Sequence, residues 1–519
     1  MIIFFIIYSR KKKLLLFYII LIIIICNLIY FLIINKFIKC DDWPKGLNNT
    51  FIDNNIKKYG CQIKIPKECP YKIGKYFLDQ TKLFGIKCKN SNKNAKKIIF
   101  ELSKSPFINN QTKKFGYPLM NKDQFCFEYN GELKNYFLNN LIDMDNKTLI
   151  KNLNIPQPEI EVDFSKNPFG DMIINLNFNE TLSYERKKLE KFIKPYSNNI
   201  IILFIDSVSR ANSIRQLRKS LKFFEQFMKY KGNYNNNFPL ENFHSFQFFK
   251  YHSFKYYTVG NYPILFYGNF RNKKNEIIIK ILKENGFITS YSADNCIKDF
   301  TFTFHNFTEK DIYDHKFIIC DPNRQHPYQS RIRCLYNKIH SEHLYEYSYQ
   351  FWKKYRNNRK FLTILTNDGH EGSLEILKYI DDIIYNFLNN LFNENLLKET
   401  SVFLLSDHGV AIPSIYYLYN FFKYEQHLPM FYLLINDRNN ISYEEQYKYL
   451  YENQQTFITA FDIFNTIEHL IYGDKYFLIQ KKTFKATPKL KYGTSLFTKI
   501  NKKYRSSKRY NPMTKNVCI

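Results

Sequence analysis

Three apolar runs in this sequence end at side chains able to bind a metal. The run at 200–205 stops at Asp206, the run at 361–365 leads within a few residues to Asp368 and His370, and the run at 402–405 leads to Asp407 and His408. Ligands of an open parallel sheet bind beyond the carboxyl ends of its strands, so chemistry is expected at these positions. Carboxylate and imidazole donors suit zinc first, with manganese, magnesium or calcium as alternatives. One aspartate at a strand end more often caps a helix than binds a cation. Several such ends, in this order, form a more specific signal. His427, just ahead of another apolar run, could complete a second metal site. His340 and His343, three apart on a helical stretch without a third ligand close by, read as surface or packing histidines.

The elements that must position these residues follow from periodicity. The continuous β-branched run at 200–205 has the character of a parallel strand buried on both faces. Ser207 follows as a candidate N-cap, and Leu217, Leu221, Phe224 and Met228 recur at helical spacing. Further short apolar runs lie at 287–291, 361–365, 402–405 and 430–434. Between the runs at 361–365 and 402–405, Leu374, Leu377, Ile384, Leu388 and Leu391 share one helical face. This alternation predicts an α/β fold over 198–519, a mostly parallel sheet with helices on both faces. Residues 41–197 are polar, carry cysteines and are punctuated by Pro44, Pro66, Pro70, Pro106, Pro118, Pro156 and Pro158. They predict an accessory region of loops and short strands.

Leu14 to Ile34 is almost purely aliphatic and aromatic, interrupted only by Cys26 and Asn27. As a helix it is long enough to span ~30 Å of hydrocarbon. A cleaved signal peptide has an apolar core of about 7–15 residues and a small-residue cleavage site, and Ile33-Ile34-Asn35-Lys36 offers none. An uncleaved transmembrane anchor is therefore expected. Arg10, Lys11, Lys12 and Lys13 precede it, which predicts a cytoplasmic tail at 1–13 and a lumenal or extracellular main domain. All of the ten cysteines except Cys26 lie beyond the span, where disulfides are permitted. Their odd number leaves one thiol over, and no CxxC spacing suggests structural zinc. The sequons at Asn48, Asn110, Asn146, Asn179, Asn306 and Asn440 fit glycosylation, although a chain this rich in asparagine also produces such triplets by chance. The net charge of +29 comes from lysine spread along the whole chain, and with no recognised motif it does not point to nucleic acid. Solvated faces, or a basic surface for an acidic glycan or anionic headgroup, remain the two readings of that charge.

Ordered blocks along the chain resemble a known family. They are Ile-Asp-Ser-Val-Ser-Arg at 205–210, Tyr-Thr-Val-Gly-Asn from 257, Asn-Asp-Gly-His-Glu at 367–371, Leu-Ser-Asp-His-Gly at 405–409, His-Leu-Pro-Met at 427–430, Ala-Phe-Asp-Ile-Phe-Asn-Thr-Ile at 460–467 and Gly-Thr-Ser-Leu-Phe at 493–497. Together they resemble the sulfatase-like family known as domain of unknown function 229, within the alkaline-phosphatase superfamily. The Asp-His-Gly and Asp-Ser-x-Ser-Arg blocks are its most specific parts.

The resemblance implies that Asp206, Asp407 and His408 hold a divalent cation beside a nucleophile, with Asp368 and His370 facing the substrate or a second metal. It puts Thr258 in the nucleophile position of a Thr-x-Pro-Asn pattern, in which Gly260 replaces the proline and loosens the turn. The Asp368–His370 spacing is shorter than that of two-zinc relatives, which implies one strong metal site. Thr258 cannot become formylglycine as a sulfatase requires, so phosphate esters are implied ahead of sulfate esters. The expectation is a metal-dependent hydrolase or phosphotransferase. The alternative left by Gly260 is a catalytically silent surface binding protein.

Overall fold

The computed structural model describes residues 171–228, 243–268, 278–294, 313–318, 338–370, 376–409, 422–436, 444–479 and 493–500. It also describes strand segments at 114–115, 124–129, 132–137, 159–163 and 334–335, and residues 18, 21, 22 and 24–26.

The first apolar run forms β1 (Asn199–Ile205), buried along its whole length. Alternate side chains of a strand point to opposite faces, and here each face meets its own core. Ile201, Leu203 and Ile205 enter one core, while Ile200, Ile202 and Phe204 enter the other. That two-sided burial is why the run is apolar without alternation.

The remaining strands of the sheet are β2 (Phe243–Gln247), β3 (Ile288–Ala293), β4 (His315–Ile318), β5 (Lys360–Thr366), β6 (Thr400–Leu405) and β7 (Phe431–Asn436). Their order is β2-β7-β6-β1-β5-β3-β4. The segment β6-β1-β5-β3-β4 is parallel, β7 runs antiparallel to β6, and β2 runs antiparallel to β7 at the edge. The expected mostly parallel α/β sheet is therefore what the chain forms. The antiparallel sense of β7 is not readable from its composition, because an apolar run buried on both faces looks the same in either direction.

Helices cover both faces. On one side lie α2 (Arg218–Glu225), α5 (His340–Lys354) and α6 (Lys378–Asn393), which contribute Phe224, Trp352 and Leu388 to the first core. On the other lie α3 (Thr258–Tyr267), α4 (Ile278–Glu284) and α8 (Ala460–Tyr472), which contribute Phe266, Leu282 and Ile467 to the second. Two short helices, α1 (Arg210–Gln216) and α7 (Phe422–His427), lie next to the strand ends.

The helix expected after Ser207 differs in two respects. Ser209, not Ser207, is its N-cap, accepting the Asn212 N–H at 2.9 Å. The helix also breaks at Leu217 into α1 and α2, because Asp381 of α6 reaches across to accept the Lys219 and Ser220 N–H groups at 2.9 and 2.8 Å. A carboxylate there satisfies the unpaired amides of a second N-terminus. Met228 lies beyond α2, in a bridge to Ser245, and Leu374 lies outside the described residues.

Before the sheet, Lys114–Phe115, Glu159–Asp163 and Asp171–Asn175 pair antiparallel, and Gln124–Tyr129 pairs with Glu132–Phe137. Ile174 and Leu176 join the first core. Most of the segment 14–34 lies outside the described residues; the six described there are helical and exposed. Among the described residues no helix is long and apolar enough to cross a membrane. Cys26 is an exposed free thiol, and the other cysteine side chains lie outside the described residues.

Candidate metal centre

Asp206 follows β1 directly and is 2% exposed. The chain then turns sharply at Ser207, whose φ of 63° is the left-handed conformation that side chains avoid. Contacts with the β6 end hold this turn. The Ser207 N–H approaches Asp407 Oδ1 at 3.4 Å, the Ser207 hydroxyl donates to the Gly409 carbonyl at 3.1 Å, and the Val208 N–H donates to Ser406 Oγ at 2.9 Å. Gly369, from the loop after β5, packs so closely on the Asp206 carbonyl and Val208 that a Cβ there would overlap both. Three strand ends thus meet through close backbone and side-chain contacts.

Among the described residues, Asp206, Asp407 and His408 form a group whose potential ligand atoms all lie within 4.8 Å of one another, and all three residues are buried. His408 Nε2 is 3.5 Å from Asp206 Oδ1 and 3.5 Å from Asp407 Oδ2. The His408 Nδ1–H donates to the Gly409 carbonyl at 2.6 Å, which fixes the ring and leaves the Nε2 lone pair directed inward. Thr258 opens α3, is 7% exposed, and has Oγ1 at 3.1 Å from both Asp206 Oδ1 and His408 Nε2.

The electrostatics of this cluster suit a cation. Burial first, and then the neighbouring charge of Asp407, push the Asp206 carboxyl well above the usual carboxylate range. Among the described residues Asp407 Oδ2 is buried with no hydrogen-bond partner, an arrangement that is unfavourable for a carboxylate oxygen unless positive charge lies beside it. Two carboxylate oxygens, an imidazole nitrogen and a hydroxyl form a donor set that fits zinc or manganese.

The other expected residues fall around this centre. The His370 ring lies 6.3 Å from that of His408, centroid to centroid. Asp368 is buried, and its Oδ2 accepts the Ser341 hydroxyl at the start of α5. His427, at the end of α7, is held by Ser253 at 3.3 Å and is not part of the converging group. His340 and His343 are both buried in α5, in keeping with packing rather than surface positions.

Sequence reasoning missed Asp294. It is 1% exposed, directly follows β3, accepts the Asn367 N–H at 3.0 Å and adds negative potential at Asp206. The strand-end rule would have found it had β3 been drawn to Ala293 instead of stopping at Tyr291. Glu425, also missed, is 2% exposed and pairs with Arg215 at 2.9 Å and with the Ser209 hydroxyl.

Fold and centre together define an α/β protein with a buried metal-type donor set at the carboxyl ends of its central strands. The chain belongs to the family described as protein of unknown function (DUF229), which matches residues 173–518. No curated protein matches it in sequence. Among solved structures it is similar to the zinc complex of the C-terminal periplasmic domain of EptC from Escherichia coli, at 10% identity over 62% of this chain and 92% of that one, with a TM-score of 0.39. It is also similar to an alkaline-phosphatase superfamily protein from Vibrio parahaemolyticus, at 14% identity over 57% and 76% with a TM-score of 0.36. The lipoteichoic acid synthase LtaP from Listeria monocytogenes is 12% identical over 61% and 81%, with a TM-score of 0.36.

Proposed function

We propose that this protein is a metal-dependent hydrolase or phosphotransferase acting on phosphate esters, with sulfate esters second, and that Thr258 is its nucleophile. The observation that carries the reading is the position of the Thr258 hydroxyl, 3.1 Å from a carboxylate oxygen and 3.1 Å from an imidazole nitrogen of one buried cluster.

Asp206, Asp407 and His408 would hold a divalent cation, zinc first, which would lower the pKa of a hydroxyl beside it and offset charge on the transferring group. Asp206 accepts the Thr258 proton along the existing hydrogen bond and orients Oγ1. Thr258 Oγ1 then bonds to the phosphorus as the ester oxygen leaves with its electron pair and takes a proton from solvent. Water or an acceptor hydroxyl afterwards displaces Thr258, giving hydrolysis or transfer. His370, beside His408, suits a contact with the substrate anion. His427, with Nδ1 3.3 Å from the Ser253 hydroxyl, is assigned a supporting position.

The rest of the reading places this chemistry in an exported compartment, with the 1–13 tail in the cytoplasm, 14–34 as the anchor, 41–197 as the accessory region and 198–519 as the catalytic domain. The six helical, exposed residues within 14–34 are compatible with a lipid-facing surface. Tyr256 and Tyr257, 55% and 42% exposed directly ahead of Thr258, suit an acidic glycan or a headgroup ester as the substrate.

Metal content of the full-length protein in detergent tests this, measured beside an Asp407→Ala, His408→Ala variant and with phosphodiester, phosphomonoester and sulfate ester substrates. About one metal per chain, lost in the variant, with turnover abolished in Thr258→Ala, is the expected result. Stoichiometric metal with turnover that survives Thr258→Ala would remove Thr258 as the nucleophile.

A further inference from the structure

Gly260 stands where the family pattern has proline, two residues after Thr258. Without proline's fixed φ, some other group must hold the nucleophile still, and the neighbouring residue supplies it. The Asn261 side chain is 1% exposed. Its Oδ1 accepts the Phe254 N–H at 2.7 Å and the Lys255 N–H at 2.9 Å. Its Nδ2 donates to the Lys255 carbonyl at 2.7 Å and the Tyr257 carbonyl at 3.0 Å. Both lone pairs and both amide hydrogens are thereby used.

These four bonds tie the loop ahead of α3 to the first turn of α3. The helix has no side-chain N-cap, since Tyr257 occupies that position. An ordinary N-cap side chain precedes its helix and reaches forward to the amides. Here a residue inside the helix reaches back to the loop, fixing the backbone on the N-terminal side of Thr258.

Gly260 permits this closure. A Cβ on residue 260 would lie 2.5 Å from Lys255 Cγ and 2.6 Å from Lys255 Cβ. Lys255 Cβ is the root of its side chain, attached to the very backbone that Asn261 holds, so it cannot swing aside. Proline or alanine at 260 is incompatible with the loop in this position. The glycine is thus the partner of the Asn261 staple and does not loosen the turn.

We infer that Asn261 is the positioning residue for Thr258, with Gly260 as its steric requirement. The inference rests on Thr258 being the hydroxyl of the metal centre. It also weakens the silent-member alternative, whose support was the missing proline.

The test uses the full-length protein in detergent, titrated with zinc. In Asn261→Ala, the Phe254 and Lys255 amides lose their acceptor, so their hydrogen exchange accelerates. Zinc affinity falls about 10- to 100-fold as Thr258 leaves the donor set. Where turnover of p-nitrophenyl phosphate is measurable, kcat falls about 100-fold while KM stays close to wild type. Asn261→Asp, which accepts both amides but donates to neither carbonyl, gives an intermediate loss. Gly260→Ala reproduces the Asn261→Ala losses, and Lys255→Gly with Gly260→Ala recovers them by removing both obstructing atoms. That pair reports the coupling even if Asn261→Ala folds poorly.

Wild-type exchange at 254 and 255 together with wild-type zinc affinity in Asn261→Ala overturns the inference, as does a Gly260→Ala loss that Lys255→Gly fails to relieve. Exchange and affinity need no turnover. A wild-type protein that binds zinc but processes no ester therefore counts against the phosphate-ester reading alone.

Discussion

At the scale of single residues, the Asp407 Oδ2, which accepts no hydrogen bond from the described residues, and the raised Asp206 carboxyl express one fact: two acidic side chains share one buried space beside the His408 imidazole. Asp407→Asn should therefore change sign with metal. In chelator-treated protein the variant loses a like-charge repulsion, and its Tm should rise by roughly 2–4 °C, the shift that about 1 kcal/mol produces in a large domain. In metal-loaded protein it should melt below wild type, because stabilisation by a bound ion scales with affinity. Thermal melts with and without chelator check both halves. A variant below wild type under both conditions would mean that Asp407 serves the turn at Ser207 more than it serves a cation.

At the scale of elements, the centre depends on how α7 and α1 sit beneath the β6 turn. Glu425 joins Arg215 and Ser209, with both ion-pair side chains only 3% exposed. Its own carbonyl packs so closely on Gly409 that a Cβ there would overlap it. Gly409 in turn offers the carbonyl that orients His408 and Ser207. Removing the Glu425 charge leaves Arg215 buried without this ion-pair partner, so Glu425→Gln should destabilise the protein by roughly 3–5 kcal/mol. Arg215→Met combined with Glu425→Met should recover much of that loss, since replacing both charges with packed apolar groups is often close to neutral. Urea unfolding of the metal-free protein separates these outcomes. A double variant as unstable as the single one would show that the hydrogen bond to Ser209, and not the ion pair, carries the energy.

Much of this arrangement was legible in the sequence, and what escaped did so for physical reasons. A parallel strand buried on both faces must be a continuous apolar run, so β1, β5 and β6 and the candidate metal ligands at their ends could be read directly. Strand direction could not be read, because neighbours and not composition set it; hence β7 gave no sign of running antiparallel. The break at Leu217 depends on a carboxylate from α6, far along the chain, and Asp294 was hidden by a strand two residues longer than its most apolar part. Asn261 stood in the resembled Thr-x-Pro-Asn pattern but was given no role there, because that role exists only once the loop has folded back.

At the scale of the whole molecule, one charge lies at the end of the sheet opposite the centre. Lys360 opens β5 at 2% exposure, with Nζ 4.6 Å from the Trp352 ring centroid and 3.0 Å from Asn199 Oδ1. Burial pushes its pKa down to about 7, whereas an unfolded lysine titrates near 10.4. Between these values the unfolded chain binds a proton that the folded chain does not, so stability rises with pH by up to about 1.4 kcal/mol per unit. Below about 7 both states are protonated, and the full penalty for burying the ammonium is present. Lys360→Met should remove this slope and be more stable than wild type at pH 7. Denaturation at pH 7, 8 and 9 reads it, and equal slopes in the two proteins would mean that the ammonium stays charged in the fold.

The position of β1 also bears on how the chain is made. Asn199 pairs with Lys360 on one side and with Thr400 on the other, so the central strand is synthesised long before either neighbour. At 5–20 residues per second, that interval is on the order of ten seconds, during which an uninterrupted aliphatic segment has no partner and its amides remain open. Nascent chains of this protein should therefore depend on holding chaperones until Leu405 has emerged. Ribosome-stalled chains ending before β5 should be captured by them far more strongly than chains ending after β6.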